Sequence, residues 1–351
     1  MPLLARTVAT PLTIEIRPAA IRNLPAILSD GRITASGKVA VAVGTGLGSE
    51  ISELASRVFP ESELFQVQGG SLDSAQELRE FLRKHPSEAM VGIGGGGTID
   101  VGKYAASMAG IPFVAVATNL AHDGIASPVA TLQASGHKVS YGVHIPIAVV
   151  VDLDFVARSP IAQTRSGVGD AVSNLSAVND WYLANKAVGE AVDGLAAAMA
   201  RNAAESVLHQ PHPLESELFL ATLAEALVIS GLAMAIAGSS RPCSGGCHEI
   251  SHAIDQLFGI DRLHGEQVAV GAMFATFLRG DPDLEHVDAC FRRHQLPRLP
   301  QDLDLTAEQF TEAVLAAPGT RPGRYTILEQ LDMDRTTARR QVDAFIDTFD
   351  R

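Results

Sequence analysis

The residues with the clearest chemical potential lie in the second half of the chain. His248 and His252, in CHEISHAID, stand four apart, and His264 follows in LHGEQVAVG. On a helix, i and i+4 side chains share a face, and a helix–turn segment can return a third imidazole. Upstream, Asp170 lies in GVGDAVSN. Two imidazoles and one carboxylate make a three-ligand set for a divalent cation, with a position left open for substrate or water, as in catalytic rather than structural sites. A lone i, i+4 histidine pair is often mere polar packing, but HGE and the glycine-flanked aspartate favour the metal. Spacing alone does not choose between His248 and His252, and zinc, iron, nickel or manganese all suit these donors.

A second candidate site is Val91 to Asp100, VGIGGGGTID, between a predicted strand and a predicted helix. Free N–H groups at a helix start can hold a pyrophosphate if no Cβ blocks the approach. The order differs from G-x-G-x-x-G, and no acid follows at the next strand end, so the motif reads as a nucleotide-phosphate turn outside the standard pattern. Glu50, Glu61 and Glu63 are candidates for the adenosine ribose, and NAD against NADP stays open. The loop from Thr118 to Pro128, TNLAHDGIASP, follows the strand FVAVA and lies at the same carboxyl edge, where open α/β sheets bind ligands. Thr118, Asp123 and Ser127 are its candidates for cofactor and substrate contacts.

The positioning elements follow from periodicity. Lys38 to Val43, Leu64 to Val67, Ala89 to Ile93, Phe113 to Ala117 and Ile147 to Val151 read as strands, with helices after the first, second and third. That alternation predicts a doubly wound parallel sheet. After Asp152, alanine, leucine and glutamate dominate at helical spacing, with helices expected over Trp181 to Ala204 and Glu217 to Ala237. The expected division is an α/β domain at 1–157 and an all-α domain at 158–351.

Of 351 residues, 46% are hydrophobic and 19% charged, which excludes disordered and fibrous classes. The net charge of -13 and the lack of basic runs exclude a nucleic-acid groove. The apolar runs, such as Ile145 to Val151, read as too short for membrane insertion. The N-terminal MPLLARTVATPL does not read as a secretory leader. Three cysteines point to a reducing compartment, and cytoplasmic localisation is expected.

GGGGTIDVGK, ATNLAHDGIASP, GVGDAVSNLSAVNDW, CHEISHAID with LHGEQVAVG, and RPGRYTILE together resemble the sn-glycerol-1-phosphate dehydrogenase family, metal-dependent dehydrogenases of dehydroquinate-synthase-like fold. The resemblance spans about residues 90 to 330. It implies a nucleotide-binding domain, a helical domain, an active site in the cleft between them, and interconversion of dihydroxyacetone phosphate and sn-glycerol 1-phosphate. Asp170, His248 and His264 are then the ligands of one divalent metal, zinc first and nickel or iron as alternatives. Asp170, Asp123 and His252 serve catalysis, His252 as a substrate or proton-relay contact. Gly96, Gly97, Thr98, Ile99, Asp100, Thr118, Asn119, Leu120, Ala121 and Ser127 hold NAD or NADP. Arg324 and Tyr325 are secondary candidates, Arg324 as a phosphate donor. A phosphorylated triose and a homo-oligomer are the implied partners.

Two departures from the family's pattern bear on the substrate. Gly246-Cys247 stands where the family usually has Ser-Glu, and Ala117 replaces a proline. The alternatives are a dehydrogenase of another polyol or specialised-pathway alcohol, a sugar-phosphate cyclase, and a non-catalytic homologue.

Overall fold

The computed structural model describes residues 8–46, 49–60, 62–134 and 136–350. Glu61 and the first seven residues of the N-terminal stretch lie outside them. The chain divides into two compact units, residues 1–159 and 160–351.

The first unit holds β1 (Thr13–Arg17), α1 (Leu24–Leu28), β2 (Val39–Gly44), α2 (Ser49–Val58), β3 (Leu64–Val67), α3 (Leu72–Lys84), β4 (Ala89–Gly94), α4 (Gly96–Ala109) and β5 (Phe113–Ala117). The hairpin β6 (Val129–Ala134) and β7 (His137–Gly142), then β8 (Ala148–Asp152) and the short α5 (Leu153–Val156), complete it. Six strands form one all-parallel sheet in the order β1-β8-β5-β4-β2-β3. Strands β2, β4, β5 and β8 are buried at every position, as expected of parallel strands covered on both faces. Val41, Val91, Val114 and Val150 pack on one face with Ile21, Leu24, Ile51 and Phe155. The order reverses between β2 and β4, so the glycine-rich turn after β4 leaves the sheet at its switch point, where such sheets bind ligands.

Edge strand β1 and the β6–β7 hairpin escape the periodicity reading. β1 carries only five residues of mixed burial, and β7 is mostly exposed, so neither shows an apolar run.

The second unit contains helices and no strand among its described residues: α6 (Ile161–Val188), α7 (Gly194–Leu208), α8 (Glu217–Ala237), α9 (Gly246–Phe258), α10 (His264–Arg279), α11 (Leu284–His294), α12 (Ala307–Thr320), α13 (Ile327–Leu331) and α14 (Arg335–Phe349). The expected helix over 181–204 is two helices. Gly189, with φ 75°, ends α6, and Asp193 starts α7 by accepting from the Leu195 and Ala196 N–H groups. α8 also corrects the reading of apolar runs. Its 21 residues are long and apolar enough to cross a membrane, yet 61% of that stretch is buried within the unit, and the helix packs on α6 and α7.

Candidate active site

In the second unit three helices converge on one cluster. Asp170 lies in the middle of α6, His248 in the first turn of α9, and His264 opens α10. The helices α6 and α10 approach so closely because both contact points are glycine. A Cβ on Gly169 would lie 2.2 Å from the Gly265 carbonyl oxygen, and one on Gly265 would lie 1.8 Å from that of Ser166. The Gly265 N–H donates to Ser166 Oγ at 3.1 Å. Each glycine adjoins a site residue, so the crossing sets Asp170 against His264.

His248 Nε2 lies 3.5 Å and His264 Nε2 3.9 Å from Asp170 Oδ1. The candidate donor atoms of all three residues fall within 4.8 Å of one another. The opposite nitrogens are both held. His248 Nδ1 faces Cys247 Sγ at 3.3 Å, and His264 Nδ1 faces Ser251 Oγ at 3.4 Å, while Ser251 donates to Gln267 Oε1 at 2.8 Å. Holding the Nδ1 proton turns each Nε2 lone pair toward the carboxylate, the arrangement that orients imidazoles for a metal. The electrostatics agree. Burial alone would push the His248 pKa down, but the Cys247 sulfur and the Asp170 carboxylate outweigh it and raise it to about 10, so this pocket favours positive charge.

Geometry separates the histidine pair that spacing left open. His252 is outside the cluster, its ring 6.4 Å from that of His264, and its Nε2 accepts from Arg321 Nη2 at 2.9 Å. Cys247 is fully buried against Val268 and Ala272, so the departure from Ser-Glu is a residue that packs between α9 and α10 while its sulfur faces His248 Nδ1. Glu249, also fully buried, was not singled out from sequence. Burial and the Glu329 carboxylate push its pKa up to about 8, and its Oε2 accepts from the Thr326 hydroxyl at 3.1 Å, a hydroxyl shared with Glu329 at 2.6 Å.

Asp180, ten residues after Asp170 on α6, is a second missed residue. Its buried carboxylate accepts from the Gly246 N–H at 2.8 Å, the Ile327 N–H at 3.0 Å and Arg279 Nη1 at 2.7 Å. One anion thereby ties the starts of α9 and α13 and the end of α10 to α6. Arg324 is committed elsewhere, donating to the Ser244 carbonyl and to Ser240 Oγ at 3.0 Å, and the Tyr325 carbonyl accepts from Arg241.

In the first unit, Gly96, Gly97 and Thr98 form the first turn of α4 behind Gly95, which offers no side-chain cap. Their N–H groups are therefore available to an anion. Gly95 and Gly96 are also needed by the neighbouring loop, because a Cβ would meet Asn119 Nδ2 at 2.3 Å and His122 Nε2 at 2.0 Å. The Thr118 N–H donates to the Gly94 carbonyl, which joins the two loops at the sheet edge. Ile99 and Leu120 are fully buried, and Ala121 lies at the loop's buried face. Asp123 starts a short turn in which His122 Nδ1 accepts from the Gly124 N–H at 2.9 Å.

Asp100 and Ser127 face inward. The Asp100 carboxylate accepts from the Thr131 N–H at 3.1 Å and pairs with the fully buried Lys103 ammonium at 3.0 Å; the Ser127 hydroxyl donates to the Val129 carbonyl at 3.2 Å. Lys103 also donates to the carbonyls of Gly124 (2.5 Å), Ser127 (3.4 Å) and Val129. Sequence reasoning missed it, although Asp100 and Lys103 at i, i+3 in an otherwise apolar helix were the available signal. Of the ribose candidates, Glu50 pairs with Arg158 at 2.9 Å, and the Glu63 carbonyl accepts from the Val41 N–H.

The family described as iron-containing alcohol dehydrogenase matches residues 15–160. Among curated relatives, glycerol-1-phosphate dehydrogenase [NAD(P)+] of Hyperthermus butylicus is 37% identical over 80% of this chain and 81% of its own. That of Archaeoglobus fulgidus is 40% identical over 77% and 78%, and that of Staphylothermus marinus 32% over 95% and 96%. Among solved structures, a probable glycerol dehydrogenase from Sinorhizobium meliloti 1021 shares the fold at TM-score 0.76 and 22% identity, covering 98% of this chain and 99% of that one. Sulfoacetaldehyde reductase from Bifidobacterium kashiwanohense, solved with NAD+, does so at TM-score 0.72 and 18% identity over 97% and 99%.

Proposed function

The chain belongs to the glycerol-1-phosphate dehydrogenase family, and from that premise we propose that it interconverts dihydroxyacetone phosphate and sn-glycerol 1-phosphate by hydride exchange at C2 with NAD(H) or NADP(H). The observation that carries this reading is the convergence of Asp170, His248 and His264, with both Nδ1 atoms held and both Nε2 atoms facing one carboxylate.

Those three residues fit a divalent cation, zinc first and nickel or iron as alternatives. Such a cation supplies Lewis-acid polarisation of the substrate carbonyl. The chain's own residues do the rest. Asp170 and the two imidazoles fix where the carbonyl oxygen binds. His252, outside the ligand set, is the substrate or proton-relay contact for the C2 oxygen. The uncapped start of α4, Gly96 to Thr98, receives the pyrophosphate, and the Thr118 to Ala121 loop borders the dinucleotide. Asp123 faces the substrate. Asp100, Ile99 and Ser127 contribute from behind, as supports of the loop that the cofactor touches. Burial of Cys247 favours the triose phosphate over another alcohol, because a side chain with no exposed surface does not line the substrate pocket.

The same reading includes a homo-oligomer, supported by edge strand β1 with exposed Leu12 and Ile14. It also includes a cytoplasmic setting, supported by three buried cysteine thiols.

The test follows NADH and NADPH oxidation at 340 nm (an assay wavelength, roughly the reduced-nicotinamide band) with dihydroxyacetone phosphate, dihydroxyacetone and glyceraldehyde 3-phosphate, on protein loaded with zinc or with nickel. Turnover of dihydroxyacetone phosphate that His264→Ala abolishes is the expected result. Silence with both phosphorylated trioses, despite bound metal and cofactor, would overturn it.

A further inference from the structure

A depression of about 450 Å³ in the second unit is lined by Arg241, Arg321 and Arg324 with a single carboxylate, Glu190. The three guanidinium groups are not equivalent. Arg241, 4% exposed, gives Nε and Nη2 to Glu190, yet its buried Nη1 has no hydrogen-bond partner. Arg324 is spent on Ser244 and Ser240. Arg321 donates to His252, and among the described residues no carboxylate lies within ion-pair distance of it. Three cations against one anion leave an excess of positive charge in a chain whose net charge is -13.

That excess has a visible cost. Burial, then the charges of Arg321 and Arg241, push the Arg324 pKa down to about 10, and burial lowers that of Arg321. Glu249, and for Arg324 also Glu190, offset this only in part, and half-buried guanidinium groups short of counter-charge favour an anion that completes them. The planar fork of arginine matches two oxygens of a phosphate monoester. The depression is also in the right place. Arg321 touches His252, whose ring is 6.4 Å from that of His264, so an anion on Arg321 lies one imidazole beyond the ligand cluster.

We propose that Arg321, in the depression it lines with Arg241, forms the subsite for the substrate's phosphate monoester dianion, whereas Arg324 is a strut that holds the 320–326 loop to the segment before α9. This rests on the triose-phosphate reading above. Arg321 is then a specificity-determining residue that separates phosphorylated from unphosphorylated ketones.

The test compares the intact protein with Arg321→Gln and Arg321→Lys, with metal content measured for each to show that the ligand cluster is intact. Arg321→Gln is expected to lower kcat/KM for dihydroxyacetone phosphate by roughly 10- to 150-fold, chiefly through KM. Activity on dihydroxyacetone should fall by a clearly smaller factor, competitive inhibition by inorganic phosphate should weaken in parallel with the loss on dihydroxyacetone phosphate, and Arg321→Lys should recover part of that loss. Equal losses on both ketones, or no loss on either, overturn the subsite. Calorimetric titration with inorganic phosphate distinguishes this from failure of the substrate reading. If the intact protein does not turn over dihydroxyacetone phosphate but binds phosphate, and Arg321→Gln does not, the substrate fails and the anion site stands. No phosphate binding by the intact protein, or equal binding by the variant, overturns the site.

Discussion

In each unit a buried ion organises a site without belonging to it, Lys103 in the first and Asp180 in the second, and the two have opposite sign. In the first, the Lys103 ammonium gathers three carbonyls of the 124–129 segment and pairs with Asp100. In the second, the Asp180 carboxylate gathers two backbone N–H groups and Arg279. The sign follows from what has to be held. A loop that turns past a helix presents carbonyls and needs a cation, whereas helix N-termini present unsatisfied N–H groups and need an anion. The nucleotide turn is thus a backbone site steadied by a side chain, and the ligand cluster is a side-chain site steadied through backbone.

The largest expected effect fixes the second half of that comparison. His264→Ala or Asp170→Ala should leave the protein folded but nearly free of metal by mass spectrometry, with kcat/KM down roughly 1000-fold or more. Metal retained at wild-type stoichiometry would remove the ligand assignment.

Next come the two ions themselves. Lys103→Met and Asp180→Ala should each lower unfolding free energy by about 3–5 kcal/mol, since each strands buried partners, as urea titration would measure. Their functional signatures should be opposite: Lys103→Met weakens NAD(P)H binding and spares metal content, and Asp180→Ala does the reverse. Equal losses of both in either variant would break the comparison. A smaller loss, about 1–3 kcal/mol, is expected for Gly265→Ala, together with loss of metal although no ligand has changed, because the new Cβ forces α10 away from Ser166.

Acid should also act unequally. Burial, with Arg293 and Arg165 nearby, lowers the His294 pKa from 6.5 to about 4. Between those values the unfolded chain binds the extra proton, so His294 makes stability of the second unit fall as pH falls through that window, against the opposite slope of Glu249, raised from 4.5 to about 8. No histidine of residues 8–159 is buried to match it. Relative to the intact protein, His294→Phe should therefore gain stability as pH falls through that window in pH-dependent melting; a stability difference that does not change with pH would overturn the His294 contribution. The smallest effect is expected for Arg335→Ala, whose pairs with Glu308 and Glu312 are exposed. Its melting temperature should stay within the shift that about 1 kcal/mol produces.

Much was legible in the sequence because it was local. The alternation of apolar strands with helices, the shift to helices after Asp152, the GGGG turn and the i, i+4 histidines are all patterns within a few residues, where backbone period fixes which side chains share a face. Contiguous motifs likewise carried the family. Spacing left His248 and His252 open and the resemblance chose His248; tertiary structure supplies the physical reason, because helical period defines a face but not which part of it a neighbouring helix meets. Tertiary structure decided that Cys247 packs, that Asp100 and Ser127 turn inward, and that Arg324 is taken up by Ser244 and Ser240 while Arg321 reaches His252. It also revealed Asp180, whose backbone partners lie 66 and 147 residues away, and Lys103, whose carbonyls lie 21 to 26 residues on. A buried charge is read by what compensates it, and folding brings those partners from distances over which a sequence keeps no period.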